Sequence, residues 1–177
     1  MTERSITLLG AGTIGASWAA LFLSYGKKVL VYDSDENALL NVKKIVERAW
    51  RDLATLTPDL PLLPWQDLLL TQDLKLVCRN TEWVQENAPD NLEIKRRLLS
   101  NVEGVLEKHI PIASSTTALM ASDIQADMTH PERFIVGHPF NPPHLIPLVE
   151  VVAGKKTNPE LKERAKAFYE SYGKEVI

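Results

Sequence analysis

The sequence predicts an α/β fold, a doubly wound, mostly parallel sheet with helices on both faces. Three observations carry that expectation. Short apolar runs alternate with stretches of helical periodicity along the chain, the pattern of strand–helix–strand units. The first such unit, Ile6 to Asp33, has three glycines where its strand would turn into its helix. The length, 177 residues, suits one α/β domain spanning 1–177 with a full core, and is short for two.

The first unit carries the most information. Ile6-Thr7-Leu8-Leu9 stops at Gly10, and Gly10-Ala11-Gly12-Thr13-Ile14-Gly15 has the spacing G-x-G-x-x-G. Gly10 allows the sharp turn, Gly12 lets backbone approach a pyrophosphate, and Gly15 lets helix and strand pack closely. The unpaired N–H groups at the helix start, with Thr13 and Ile14 in its first turn, face the phosphates. Ile14, Trp18, Leu21 and Tyr25 share one helical face, and Gly26 stops the helix. Lys28 to Asp33 is then a second parallel strand closing on an acid. Asp33 lies about 20 residues past the glycines, where a carboxylate accepts from the adenosine ribose hydroxyls. Ser34 and Asp35 follow it, with no arginine for a 2′-phosphate, so the cofactor expected is NAD. The competing reading is a tight turn with Asp33 as a helix cap. Strand, glycines, helix, strand and acid all agree on a Rossmann-type dinucleotide site.

The remaining elements follow in order. Residues 35–53 form a helix with Leu39, Val42, Val46, Ala49 and Leu53 on one face. Three prolines between Thr57 and Pro64 exclude helix interior and central strand, leaving a surface connection. Leu68–Leu70 is a short buried strand, Leu74–Cys78 a poor helix or turn, and Thr81–Glu86 another strand. Asp90 and Glu93 resemble a capping box for a helix whose inner face is Ile94, Leu98, Val102 and Val105. Ile110–Ala113, Arg133–His138 and Leu148–Val152 are strands, the last two joined by a proline-rich turn. Asn158 caps a last helix with Leu161, Ala165, Phe168 and Tyr172 inward. Gly173 stops it, and Lys174–Ile177 starts a strand, which suggests a domain cut from a longer polypeptide.

Composition excludes several classes of function. The chain is 45% hydrophobic and 24% charged, with net charge −3. No basic stretch interleaved with aromatics points to nucleic acid, and no apolar run approaches the ~20 residues of a membrane span. Residues 1–4 are too polar for a secretory signal, and the lone Cys78 allows no internal disulfide. A soluble cytoplasmic protein acting on a small molecule is the expectation, with no metal site.

Ligands of a doubly wound sheet sit beyond the carboxyl ends of its strands. Ser114-Ser115-Thr116-Thr117 follows one strand, His138 closes the next, and Glu150 lies across the turn. A histidine with a carboxylate partner is a proton-transfer pair, the acid orienting the ring and favouring its protonated form. Beside a nicotinamide, that pair suits oxidation of a secondary alcohol. Thr117 can hold the substrate oxygen, and the Asn141 amide can serve cofactor or substrate. On pattern alone His138 is equally a satisfied core histidine, with Glu150 a surface charge.

The motifs resemble the 3-hydroxyacyl-CoA dehydrogenase family. They are Gly10 to Gly15 with Asp33, Glu86-Asn87-Ala88-Pro89-Asp90 through Lys95, Ala113 to Thr117, and His138-Pro139-Phe140-Asn141-Pro142-Pro143 leading to Glu150. The resemblance covers nearly all of the chain. It implies an N-terminal NAD domain, His138 as catalytic base, Glu150 as its partner, and cofactor contacts from Lys95 and Asn141. The sequence departs from the family at three places: Thr117 stands for a serine, Asp90 for a cofactor-contacting glutamate, and Pro139 follows the histidine in place of phenylalanine. The last is similar to the L-gulonate 3-dehydrogenase (lambda-crystallin) and carnitine 3-dehydrogenase branches, which use free hydroxy acids. The family's helical second domain, with most of the homodimer contact, is absent from these residues. A span lacking it is expected to bind NAD, turn over little, and expose apolar side chains near Val149 and Val151. The alternative function is a crystallin-like domain that binds dinucleotide without turnover.

Overall fold

The computed structural model describes residues 4–177. Met1–Glu3, part of the segment read above as too polar for a secretory signal, lie outside the described residues. The described residues form one eight-stranded sheet in the order β3-β2-β1-β4-β5-β6-β7-β8. The strands are β1 (Ser5–Leu9), β2 (Val29–Tyr32), β3 (Leu68–Thr71), β4 (Thr81–Glu86), β5 (Ile112–Ser114), β6 (Phe134–Pro139), β7 (Leu148–Ala153) and β8 (Glu175–Val176). Every neighbouring pair is parallel except β6 and β7, which run antiparallel. The order reverses between β1 and β4, the switch point where a ligand crevice opens at the carboxyl ends. The doubly wound α/β expectation is met.

Helices cover both faces. One core gathers α1 (Thr13–Ser24), α2 (Glu36–Leu56) and α6 (Pro159–Glu170); the other gathers α3 (Leu74–Val77), α4 (Leu92–Glu103) and α5 (Ala121–Ile124). Alternation along β1 sends Ile6 and Leu8 to the first core and Leu9 to the second. Helix α1 is buried from Gly15 to Leu23, as befits a helix apolar on every side. It meets α6 and the residues just after it through an aromatic cluster: Trp18 stacks on Tyr169 at 5.7 Å, and Phe22 meets Tyr172 edge-on at 4.8 Å. Truncating a buried ring of this cluster to alanine costs about 3–5 kcal/mol.

Several expectations need correction. Strand β3 is an edge strand, with Leu69 40% exposed, because no strand among the described residues pairs with its outer side. Helix α4 is rotated from its expected face: Lys95, Leu99 and Val102 are buried while Ile94 is exposed. Its N-cap is Asn91, whose side chain accepts from the Ile94 N–H at 3.0 Å, which leaves the Asp90 carboxylate free for other partners. Tyr25 of the expected α1 face is exposed, and Tyr169 rather than Phe168 is the fully buried aromatic of α6. Val149 and Val151 point inward, since a two-residue period that turns Glu150 to the site turns them away from it. The exposed apolar residues nearby are Val152 and Ile177.

Candidate active site

In the loop after β1 the glycines act through what their missing side chains permit. A Cβ on Gly15 would lie 2.1 Å from the Gly10 carbonyl oxygen, and one on Gly10 2.7 Å from that of Asn87. Gly10 also has φ +102°, the left-handed region that favours glycine. A Cβ on Gly12 would meet nothing within 4 Å, so that side of the loop faces open space. Helix α1 starts there with no side-chain cap, and the N–H groups of Thr13, Ile14 and Gly15 have no partner among the described residues. Open backbone at an uncapped helix N-terminus fits a pyrophosphate. Asp33 is held in place by the Ala11 N–H, which donates to it at 2.7 Å, and the Asp35 N–H at 2.9 Å. A carboxylate with about four acceptor directions keeps two for ribose hydroxyls.

Beneath the next loop lies a buried ion pair. Lys95 Nζ donates to Glu86 Oε1 at 2.8 Å, to Oε2 at 2.9 Å and to the Ala88 carbonyl at 2.8 Å. Asp90 Oδ1 is 3.5 Å away, and Lys95 and Glu86 side chains are 1% and 0% exposed. Lys95, expected to contact the cofactor, thus has its donors engaged within the protein. Asp90 passes the restraint on, accepting from the Thr117 N–H at 3.0 Å. Burial pushes the Asp90 carboxyl upward, but hydrogen bonds from the Thr116 hydroxyl, the Thr117 N–H and Lys95 together hold it below the usual range.

The antiparallel register places His138 directly opposite Glu150. His138 Nδ1 lies 2.7 Å from Glu150 Oε2. An ionised carboxylate only accepts, so Nδ1 carries the proton and Nε2 of the neutral ring is left as an acceptor. That Nε2 lies 3.5 Å from Thr117 Oγ1. The three groups line a cavity of about 260 Å³ with Leu119, Met120 and Val152. Asn141 stands exposed on the turn after β6, and its peptide bond to Pro142 is cis. Another cavity, about 280 Å³, opens at the amino ends of the strands beside Lys108, Arg133 and Arg164 and shares no residue with this site. No group of three or more metal-ligating side chains occurs among the described residues. No helix among them is long and apolar enough to cross a membrane.

Sequence reasoning passed over Gln85, Tyr169, Lys174 and His144. Gln85 and Tyr169 are fully buried and hydrogen-bonded to each other at 2.7 Å. A glutamine within a strand whose neighbours are buried was the available signal. Lys174 offered none, because a lysine after a helix-stopping glycine is ordinary surface chemistry.

Three comparisons with known proteins show what the chain is similar to. The family model described as 3-hydroxyacyl-CoA dehydrogenase, NAD binding domain, matches residues 5–177. The L-carnitine dehydrogenase of Streptomyces coelicolor is 41% identical, over 98% of this chain and 54% of that protein. The chain spans about half the length of the curated relatives it matches. Among solved structures, 5-formyl-3-hydroxy-2-methylpyridine 4-carboxylic acid 5-dehydrogenase, an NAD+-dependent dismutase, superposes with TM-score 0.91 at 30% identity, covering 99% of this chain and 57% of that one. The 3-hydroxybutyryl-CoA dehydrogenase of Escherichia coli superposes with TM-score 0.88 at 26% identity, covering 100% of this chain and 38% of that one.

Proposed function

Because the chain belongs to the 3-hydroxyacyl-CoA dehydrogenase family, matching its NAD-binding domain over residues 5–177, we propose that it oxidises the hydroxyl of a 3-hydroxy acid to a ketone through His138 and Glu150. The observation that carries this reading is the 2.7 Å contact between His138 Nδ1 and Glu150 Oε2, which leaves Nε2 to accept a proton. NAD, when bound, supplies the hydride acceptor. Gly10, Gly12, Thr13, Ile14 and Gly15 cradle its phosphates and Asp33 its ribose, while Asp90, with Lys95 behind it, and Asn141 complete the cofactor side. Thr117 holds the substrate oxygen beside His138. His138 removes the hydroxyl proton, and Glu150 stabilises the imidazolium that results.

The substrate is a free 3-hydroxy acid of the L-carnitine kind rather than its CoA thioester. Relatives 34–41% identical to the chain are named L-carnitine dehydrogenases, and Pro139 follows the histidine. Residues 1–177 bind NAD but turn over little by themselves, because a cleft with one wall missing positions substrate and excludes water poorly.

The test joins this chain to the carboxyl-terminal half of the Streptomyces relative and measures NADH formation from L-carnitine, gulonate and a 3-hydroxyacyl-CoA. Turnover is expected with a free acid. His138→Asn and Glu150→Gln each reduce it about 100-fold, the scale of general acid–base catalysis, with NAD affinity unchanged. Turnover that survives both substitutions would show the assignment to be wrong.

A further inference from the structure

A chain of buried hydrogen bonds fixes the direction of one amide at the cofactor crevice. Gln85 lies on β4 with no exposure. Its Oε1 accepts from Tyr169 OH at 2.7 Å and from Trp83 Nε1 at 3.4 Å; its Nε2 donates to the Gly137 carbonyl at 3.1 Å and to Ser115 Oγ at 2.8 Å. An indole N–H only donates and a carbonyl only accepts, so both ends demand the same orientation of this amide. Ser115 Oγ also accepts from Trp18 Nε1 at 3.3 Å, which commits its single hydrogen to Asn87 Oδ1 at 2.7 Å. Asn87 is therefore oriented too. Its Nδ2 donates to the Gln85 carbonyl at 2.9 Å, and the second N–H has no partner among the described residues.

The place of that N–H is informative. The Asn87 backbone N–H donates to Leu9 at 2.6 Å, immediately before the glycine loop. A Cβ on Gly15 would lie 3.5 Å from Asn87 Nδ2. On the other side Ser115 stands two residues ahead of Thr117, which reaches His138. Asn87 thus sits between the phosphate cradle and the proton-transfer pair. A dinucleotide that spans both must pass its nicotinamide half across this amide.

We propose that Asn87 is a cofactor-contacting residue, donating its free N–H to an oxygen of the nicotinamide half of NAD, and that Tyr169, Gln85 and Ser115 are positioning residues that set its direction. The inference rests on the reading that the nicotinamide faces His138. A buried phenol at one end of the chain and a half-exposed amide at the other give the arrangement its purpose: the donor is aimed before the cofactor arrives, so little ordering remains to be done on binding.

The test measures NAD, ADP-ribose and ADP binding by the 177-residue chain, using calorimetry. Asn87→Ala is expected to weaken NAD about 5- to 10-fold, the worth of one neutral hydrogen bond, and to leave ADP unchanged. ADP binding also reports that the variant has folded. Tyr169→Phe is expected to weaken NAD about 2- to 3-fold, again sparing ADP, and to add nothing to Asn87→Ala in the double variant. Loss of ADP-ribose affinity alongside NAD assigns the acceptor to a ribose hydroxyl, and loss of NAD alone assigns it to the carboxamide. Equal losses for NAD and ADP, or no loss for either, would overturn the proposal while leaving NAD binding intact. An unsubstituted chain that binds neither would overturn the dinucleotide reading itself.

Discussion

The loop before His138 and the turn after it are both anchored from beneath by a buried lysine, and the two anchors differ in charge balance. Under the loop at 115–120, Lys95 is 1% exposed and faces two carboxylates, Glu86 and Asp90, as well as the Ala88 carbonyl. Under the turn at 140–147, Lys174 is 6% exposed and donates only to carbonyls, those of Pro143 and Ile146, with the Trp18 ring centroid 5.6 Å away. No ion pair joins Lys174 to a carboxylate among the described residues. Burial consequently pushes the Lys174 ammonium down to about 8. The same geometric task is done once by a neutralised pair and once by a lone charge. The pair fails when one member is removed; the lone charge tolerates removal better but answers to pH.

The largest effect expected from this difference is at Lys95. Lys95→Met leaves Glu86 buried without its counter-charge and should cost about 3–5 kcal/mol, read as a fall in the urea midpoint. Replacing Glu86 by Gln as well should recover part of that loss. A cost below about 1 kcal/mol would mean that the two anchors do not differ as described.

Next in size is the pH response of Lys174. Its folded pKa of about 8 lies below the ordinary value of 10.5, so between the two the unfolded chain holds more protons. Stability contributed through this group therefore rises with pH across that window, by up to roughly 3 kcal/mol. Below about pH 8 the full cost of the buried ammonium is present. Lys174→Met should lack this rise, so the stability of the unsubstituted chain relative to the variant should climb from pH 8 to 10.5. A difference that stays flat over that range would show the ammonium to be compensated by a partner.

Neither anchor was legible in the sequence, although most of the fold was. Elements with strict periodicity were located within about three residues, as at α2, where Leu39, Val42, Val46, Ala49 and Leu53 are all buried as expected. The shape of the glycine loop was legible because it is backbone geometry, written in glycine spacing. His138 and Glu150 were visible as residue types at strand ends, but their contact depends on the antiparallel β6–β7 register, which pattern does not encode. The face of α4 was misjudged because a buried lysine breaks the rule that apolar residues mark the core. Lys95 occupies a core position at helical spacing from Leu99 and Val102, and only Glu86, brought in by β4, makes that tolerable.

The smallest effect concerns the second tie on the same turn, and it separates a charged anchor from a neutral one. His144 is buried, with Nε2 3.4 Å from Asp52 Oδ2 and Nδ1 without a hydrogen-bond partner among the described residues. Burial holds its pKa below the ordinary imidazole range; Asp52 works against that, while Lys174 and Arg48 add to it. The ring is therefore neutral at about pH 7, and the contact with Asp52, 44% exposed, is not an ion pair there. Asp52→Asn should change stability by less than about 0.5 kcal/mol at neutral pH, as for exposed, screened partners. The sign reverses nothing but the window matters. A histidine with a depressed folded pKa binds fewer protons than the unfolded chain below its ordinary value of 6.5, so its stability contribution falls as the pH drops through that range. Removing Asp52 depresses the pKa further, so the gap between variant and parent should open only under acid, and denaturation at pH 7 and pH 5 measures it. A loss of 2 kcal/mol or more already at pH 7 would mean that His144 is charged in the fold, and that the turn has the paired anchor denied to it by Lys174.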